Sequence, residues 1–163
     1  MMMIDWPQGN VLWRWGNDHL ISHQHDATLT SEGNVLIFDN GTHDPVTPHS
    51  RVIEVDINSG RILWQYVPKL VFSFFSGHVG GCERLPDGNT LICEGQSGRV
   101  FEVTRECEVC WEWVSPFILP FKNVYCSMLF RAHRYYGNGP ELSGMKFYPE
   151  RYEKLNRELG LMK

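Results

Sequence analysis

The sequence lacks both a long apolar run and an excess of basic residues. None of its apolar runs approaches the ~18 residues of a membrane-spanning helix, so we expect no membrane partner. Its 15 Lys and Arg stand against 19 Asp and Glu, for a formal net charge of -4. Proteins that bind nucleic acid concentrate Lys and Arg on one face, and no such basic stripe is present. We therefore expect no nucleic-acid partner.

The sequence also lacks a cysteine framework. Its five cysteines leave at least one unpaired. Cys107 and Cys110 have CxxC spacing, but no second pair completes the four ligands of a structural zinc site. We interpret Cys107 and Cys110 as small buried hydrophobic residues.

No basic stretch followed by an apolar core, the pattern of a signal peptide, occurs in the chain. Residues 1–7 stand directly before a recurring segment, so we expect a truncated or misassigned start. The compartment stays unknown, because a longer parent protein is compatible with export.

What the sequence does contain is a repeat of about 50 residues. Three short segments recur in the same order, and a further copy of the third, Gly9–Trp15, stands near the N-terminus. The chain therefore holds the end of one unit, two whole units and a different tail. The paired segments are Ser31–Ile37 with Pro86–Ile92, Ser50–Val55 with Gly98–Val103, and Gly60–Tyr66 with Glu106–Trp113.

Each segment is a short run of β-branched, aromatic and aliphatic residues between Gly, Asn, Asp or Pro, which is typical of β-strands. Residues 52–57 alternate with the period of two expected of a strand. We predict an all-β fold, a partial β-propeller of about two to three blades of four-stranded antiparallel sheets, with a short C-terminal helix. The Trp that ends each unit is expected to pack between blades. Because propellers close with about four to eight blades, we expect a fragment or a partial array.

Residues 1–116 are predicted to form the blades, and residues 117–163 a tail with a short helix packed on them. The helix is expected over Tyr148–Gly160, with Pro149 in its first turn and Gly160 at its C-cap. Tyr152, Leu155 and Leu159 would form its apolar face. Open blade edges predict self-association of the isolated chain.

Two segments hold polar residues that the repeat does not explain, Ser22–Thr28 and Ser73–Gly81. They occupy the same point of successive units. Because the innermost strands of a propeller line one central channel, we expect His25 and His78 to converge there.

Several motifs, in family order, resemble the arylsulfotransferase family of β-propellers. A related group of propellers, described as similar to quinone-dependent dehydrogenases, is equally close, but nothing in the sequence supports a quinone, and we expect no cofactor. The motifs are Gln24–Ala27, Phe38–Gly41, Ser50–Asp56, Arg84–Ile92, Gly98–Thr104 and Trp111–Trp113.

The resemblance implies transfer of a sulfuryl group from a phenolic sulfate donor to a phenol acceptor through a sulfohistidine, without a nucleotide. The absence of a Gly-x-x-x-x-Gly-Lys-Ser/Thr loop agrees with this. By position, His25 matches a family active-site histidine and Arg51 a sulfate-binding arginine. His78 is the candidate nucleophile, and Asn40 and Asp26 are expected to bind substrate. A family histidine from an earlier blade would precede Met1, so the site is expected to be incomplete.

Structural interpretations stay open for each of these residues. In these interpretations His25 is a structural histidine of the channel or of a turn, and Asp26 hydrogen-bonds to its own backbone. Arg51 pairs with Glu54 or caps a strand, and His78 only marks a loop.

Two other functions also stay open. A metal centre is suggested by the crowding of His19, His23, His25, Asp26, His43 and His49. It is disfavoured because the metallohydrolase His-x-His-x-Asp-His signature is incomplete, and we expect no metal. The non-enzymatic alternative is a quinoprotein-like propeller used as a binding or assembly module.

Overall fold

Alternating apolar runs between glycine turns form twelve antiparallel β-strands in the described part of the chain, the first at Met2–Ile4 and the last at Val124–Cys126. The computed structural model describes residues 1–16, 20–43, 46–137 and 139–160. The first element is a two-stranded sheet, β1 (Met2–Ile4) with β2 (Val11–Arg14). The next is a four-stranded sheet in sequence order, hereafter the first sheet. Its strands are β3 (His25–Leu29), β4 (Val35–Asp39), β5 (Arg51–Val55) and β6 (Ile62–Tyr66).

The second repeat unit forms a second four-stranded antiparallel sheet in the same order, hereafter the second sheet. A two-stranded sheet follows it, β11 (Leu119–Phe121) with β12 (Val124–Cys126). The predicted all-β fold is confirmed, and the two four-stranded sheets are consistent with a partial propeller. Within the described residues no sheet closes into a barrel. The strands of the second sheet are β7 (Gly81–Arg84), β8 (Thr90–Glu94), β9 (Arg99–Val103) and β10 (Val109–Val114).

An aromatic core lies between the two four-stranded sheets. Phe38 of the first sheet and Phe101 of the second both pack edge-on against Phe74, with ring centroids 5.6 Å apart in each pair. All three rings are fully buried. Trp64 packs against the same cluster, and its Nε1 donates to the carbonyl of Arg105 at 2.8 Å. This tryptophan therefore lies between the sheets, whereas its counterpart Trp111 is exposed.

The opposite faces of the two sheets are covered by other segments. Trp15, from the N-terminal copy of the third segment, packs on the first sheet and donates from Nε1 to the carbonyl of Gly60 at 2.8 Å. Leu129 and Ala132, which follow the last strand, pack on the second sheet.

The interpretation of Cys107 and Cys110 as small buried residues is wrong. All five cysteines are free thiols. Cys110 is exposed and Cys107 is only partly buried, whereas Cys82 and Cys93 are buried. The outer strand β10 faces solvent at Cys110, which explains the difference.

Contacts divide the chain into two units, residues 1–133 and 134–163. In the second, a 3-10 turn at Pro149–Tyr152 leads into α1 (Glu153–Glu158), so the predicted helix is present but short. Gly160, beyond its end, adopts a left-handed φ of 67°. Tyr152 and Leu155 are exposed. The boundary at residue 116 and the packing of the helix stay predictions. No described helix is long and apolar enough to cross a membrane.

A buried ion network also joins the two sheets. Glu54 of the first sheet is 1% exposed in its side chain and pairs with Arg84 at 2.6 Å and with Arg105 at 2.9 Å. Asn34 donates to its other oxygen at 2.9 Å. Burial raises the pKa of Glu54, but the Asn34 hydrogen bond and the two guanidinium groups outweigh it and hold the pKa below 4.5.

We predict that Glu54→Gln lowers the free energy of unfolding by about 3–5 kcal/mol at neutral pH, because it leaves the buried Arg84 without its counter-charge. The folded pKa of Glu54 is depressed, so its contribution is present above pH 4.5 and lost as the pH falls below it. Urea unfolding should therefore show the difference between variant and wild type shrinking in acid. Glu32→Gln is the control, since Glu32 is exposed and contacts Arg105 at 3.4 Å; a loss as large as that of Glu54→Gln would contradict the prediction.

Candidate functional site

A β-bulge places His25. His25 pairs with Phe38, but the register between β3 and β4 shifts before Thr28. In the second sheet, Gly81 pairs with Cys93, the repeat counterpart of Phe38, without a shift. The first sheet therefore holds one extra residue, and Asp26 within the bulge has a left-handed φ of 49°. Bulges re-aim side chains, and here the bulge puts a histidine where the second unit has a glycine.

Asn40 fixes the orientation of the His25 ring. Its Nδ2 donates to the carbonyls of Ser76 at 2.5 Å and Val79 at 3.1 Å, so its Oδ1 must face His25. That oxygen lies 2.7 Å from His25 Nδ1. Because an amide oxygen only accepts, Nδ1 carries the hydrogen, and the neutral ring has its lone pair on Nε2. No described residue hydrogen-bonds to Nε2.

The same contacts hold the loop that carries His78. Besides the two Asn40 bonds, Thr42 Oγ1 donates to the carbonyl of Gly77, and the Ser76 N–H donates to Ser50 Oγ at 2.9 Å. His78 itself is exposed. The structure thus brings the loop of His78, though not a fixed imidazole, against the residue that orients His25.

Arg51 pairs with Asp39 and not with Glu54. Its Nε lies 2.8 Å from Asp39 Oδ2, and a second guanidinium N–H donates to the carbonyl of Leu20. The other oxygen of Asp39 accepts the Ser22 N–H at 2.8 Å. The pairing with Glu54 is therefore wrong: Arg51 lies directly across from Asp39 on the neighbouring strand.

The second unit contains the same kind of arginine–carboxylate pair, although it has Gly81 at the position of His25. Arg99 pairs with Glu94 at 3.3 Å, and Glu94 accepts the Phe75 N–H at 3.0 Å. Since Arg51 and Arg99 occupy matching places, the ion pair has a structural role in both sheets. The sulfate-binding role of Arg51 stays a prediction.

The side chain of Asp26 is 5% exposed, and both of its carboxylate oxygens have partners. One accepts the Cys82 N–H at 3.1 Å, and the other pairs with Arg131 at 2.7 Å. A Cβ on Gly81 would lie 2.3 Å from this carboxylate, so the close approach requires glycine. The sequence interpretation gave Asp26 a hydrogen bond to its own backbone, but the bond is to the backbone N–H of Cys82. A substrate contact of Asp26 stays a prediction. Arg131 was missed from the sequence, because no motif connects it to Asp26.

Two further histidines, His23 and His43, form an exposed group beside His25. The His23 ring centroid lies 5.6 Å from that of His25 and 5.3 Å from that of His43. His49 instead contacts the carbonyl of Thr47. Among the described residues, no group of three or more His, Cys, Asp or Glu is arranged to hold a metal ion. His19 lies outside the described residues.

Comparison with known proteins decides the family. The sequence profile described as Arylsulfotransferase (ASST) matches residues 2–115, more than half of the chain. The chain belongs to the arylsulfotransferase family. This confirms the resemblance carried by the sequence motifs.

Relatives of this chain include the arylsulfate sulfotransferase AssT of Lelliottia amnigena, 33% identical over 91 residues, and that of Escherichia coli O6:H1, 32% identical over 91 residues. Each alignment covers 49% of this chain and 15% of the relative. A solved protein of unknown function from Bacteroides caccae is 17% identical with a TM-score of 0.47, over 66% of this chain and 36% of that one. The chain thus spans about 15% of the length of the curated relatives it matches.

We predict that Gly81→Ala destabilises the folded chain by about 1–3 kcal/mol, because the new methyl group meets the Asp26 carboxylate. Gly137→Ala is the matched control, since a Cβ there meets nothing within 4 Å and the residue has no left-handed φ. Thermal or urea unfolding measures both. Equal stabilities for the two variants would show that Asp26 moves away without cost.

Proposed function

We propose that this chain carries enough of the active site of a nucleotide-independent arylsulfotransferase to move a sulfuryl group from a phenolic sulfate donor to a phenol acceptor through a sulfohistidine. Family membership supports the reaction class. The observation that carries the assignment to this site is the Asn40–His25 bond, because it leaves the Nε2 lone pair of His25 available.

In this proposal His25 is the nucleophile. Its Nε2 lone pair attacks the sulfur of the aryl sulfate, an N–S bond forms, and the S–O bond to the aryl group breaks with its electron pair leaving on the phenolate. The acceptor phenol then attacks the sulfur, and the N–S bond breaks with its electron pair returning to Nε2. The acceptor proton passes to solvent, where it balances the phenolate released first.

Asn40 would assist both steps by orientation. The sulfated ring carries positive charge, so the hydrogen bond from Nδ1 to the amide oxygen strengthens when the adduct forms. Asn40 is fully buried and its amide is used in three hydrogen bonds. We therefore assign it the positioning of His25 in place of the substrate contact expected from the sequence.

His78, the nucleophile expected from the sequence, becomes the second candidate. Its support is that its loop is held against Asn40 through the carbonyls of Ser76 and Val79. Its ring is exposed, and no described residue fixes which nitrogen carries the proton. A nucleophile benefits from a preset tautomer, which favours His25.

A non-catalytic binding or assembly module is the alternative function. Its support is the exposed apolar surface of the outer strand β10, where Val109, Trp111 and Val114 are 46%, 43% and 57% exposed. An edge strand with such side chains is a ready surface for association. Under this alternative the purified chain associates but transfers no sulfuryl group.

We predict that the chain, given p-nitrophenyl sulfate and phenol, transfers the sulfuryl group, and that His25→Ala lowers the rate at least about a thousandfold. Release of p-nitrophenol measures the rate, and peptide mass spectrometry after donor alone locates a trapped SO₃ group. His49→Gln, outside the histidine group, should keep the wild-type rate.

The location of the trapped group decides between the histidines. An SO₃ group on the peptide of His25 supports the proposal, and one on the peptide of His78 assigns the nucleophile there. A folded chain with neither adduct nor turnover argues against catalysis by this chain and favours the module.

A further inference from the structure

We propose that Arg131, on the segment that follows the sheets, is a positioning residue for His25. The segment, residues 127–133, is called the strap below. The catalytic consequence rests on the proposed function, but the effect on the His25 ring does not. Three features support this role: the strained conformation of Asp26, the burial of its carboxylate and the contacts between the strap and the second unit.

Asp26 is stable in its conformation only through its partners. A left-handed φ costs a non-glycine residue energy, and surrounding contacts must compensate. Its carboxylate is 5% exposed, and a buried charge without a counter-charge is unfavourable. The Cys82 N–H satisfies one oxygen, and Arg131 supplies the only described cation that pairs with the other. Arg131 therefore stabilises the bulge.

The strap holds Arg131 by contacts independent of Asp26. Its Leu129 N–H donates to the carbonyl of Gly95 at 2.8 Å, and its Ser127 Oγ donates to the carbonyl of Ser97 at 3.1 Å. Leu129 and Ala132 pack on the apolar face of the second sheet. The guanidinium is thus delivered to Asp26 from a fixed backbone.

Glycines in the turn between β8 and β9 make this close approach possible. A Cβ on Gly95 would lie 2.2 Å from the carbonyl oxygen of Leu129, and one on Gly98 would lie 2.3 Å from that of Ser127. Gly95 is the repeat counterpart of Asn40. At this position the first unit has the amide that orients His25, whereas the glycine of the second unit leaves room for the strap.

Coupling to His25 is direct, because His25 and Asp26 are consecutive residues of the bulge. If Arg131 is removed, the buried charge of Asp26 favours a rearranged bulge that exposes the carboxylate. The register that sets His25 opposite Phe38, and its Nδ1 beside Asn40, then loosens. We expect the Nδ1–H form of His25 to give way to the mixture of tautomers typical of a free imidazole.

The test is ¹⁵N NMR of histidine-labelled full chain, at alkaline pH where imidazoles are neutral. The ¹⁵N signals of the His25 ring are assigned as those that disappear in His25→Gln. We expect a predominant Nδ1–H pattern in the wild type, its loss in Arg131→Met and partial recovery in Arg131→Lys. His133→Gln is the matched control, since His133 is on the strap and contacts Glu83 at 3.4 Å but does not touch Asp26.

Asp26→Asn combined with Arg131→Met guards against misfolding, because it removes the buried charge together with its partner. Partial return of the Nδ1–H pattern relative to Arg131→Met is therefore expected there. A folded Arg131→Met with wild-type His25 signals, or a double variant with no more of the Nδ1–H pattern than Arg131→Met, would overturn the inference.

Sulfuryl transfer separates this inference from the proposed function. We expect Arg131→Met to lower kcat about 10–100-fold with little change in KM, as for a misaligned nucleophile. A wild type without transfer, whose His25 signals still change in Arg131→Met, refutes the proposed function and leaves the positioning role intact. Transfer in the wild type with unchanged signals in Arg131→Met refutes the positioning role alone.

Discussion

The buried amide of Asn40 is the contact on which the site depends. A buried amide must satisfy both its hydrogens and its oxygen, because each unmade bond costs about 1–3 kcal/mol. Here the two hydrogens take carbonyls of the loop before β7, and the oxygen takes His25. One side chain therefore fixes a ring of the first sheet and a loop of the second together. Its three bonds make the geometry around His25 a property of both repeat units.

Differences between matching positions separate the site from the scaffold. The carboxylate–arginine pair recurs as Asp39 with Arg51 and as Glu94 with Arg99, so it belongs to the architecture of either unit. Asn40, in contrast, does not recur, because the second unit has Gly95 at the matching position. The first unit therefore carries here a polar side chain that the sheet architecture does not require.

The strands could be predicted from the sequence, because β-branched runs and glycine turns are local signals and the repeat presents each twice. The polar segment around His25 was also found, as residues that the repeat leaves unexplained. The bulge was not, because one extra residue changes the register only once a partner strand is known. The partners of Arg51 and Asp26 were missed for a related reason. Asp39 lies across a strand pair, and Arg131 arrives from a distant segment with no recurring pattern.

The burial of Cys82 gives the aromatic core a built-in reporter of its own opening. The residue is 3% exposed, and burial, with the nearby Asp26 carboxylate, raises the pKa of its thiol well above the ordinary value. A thiol held neutral and away from solvent does not react with alkylating reagents while the two sheets are closed. Its modification rate is consequently set by the frequency with which they separate, and that frequency is a direct measure of the cohesion between repeat units.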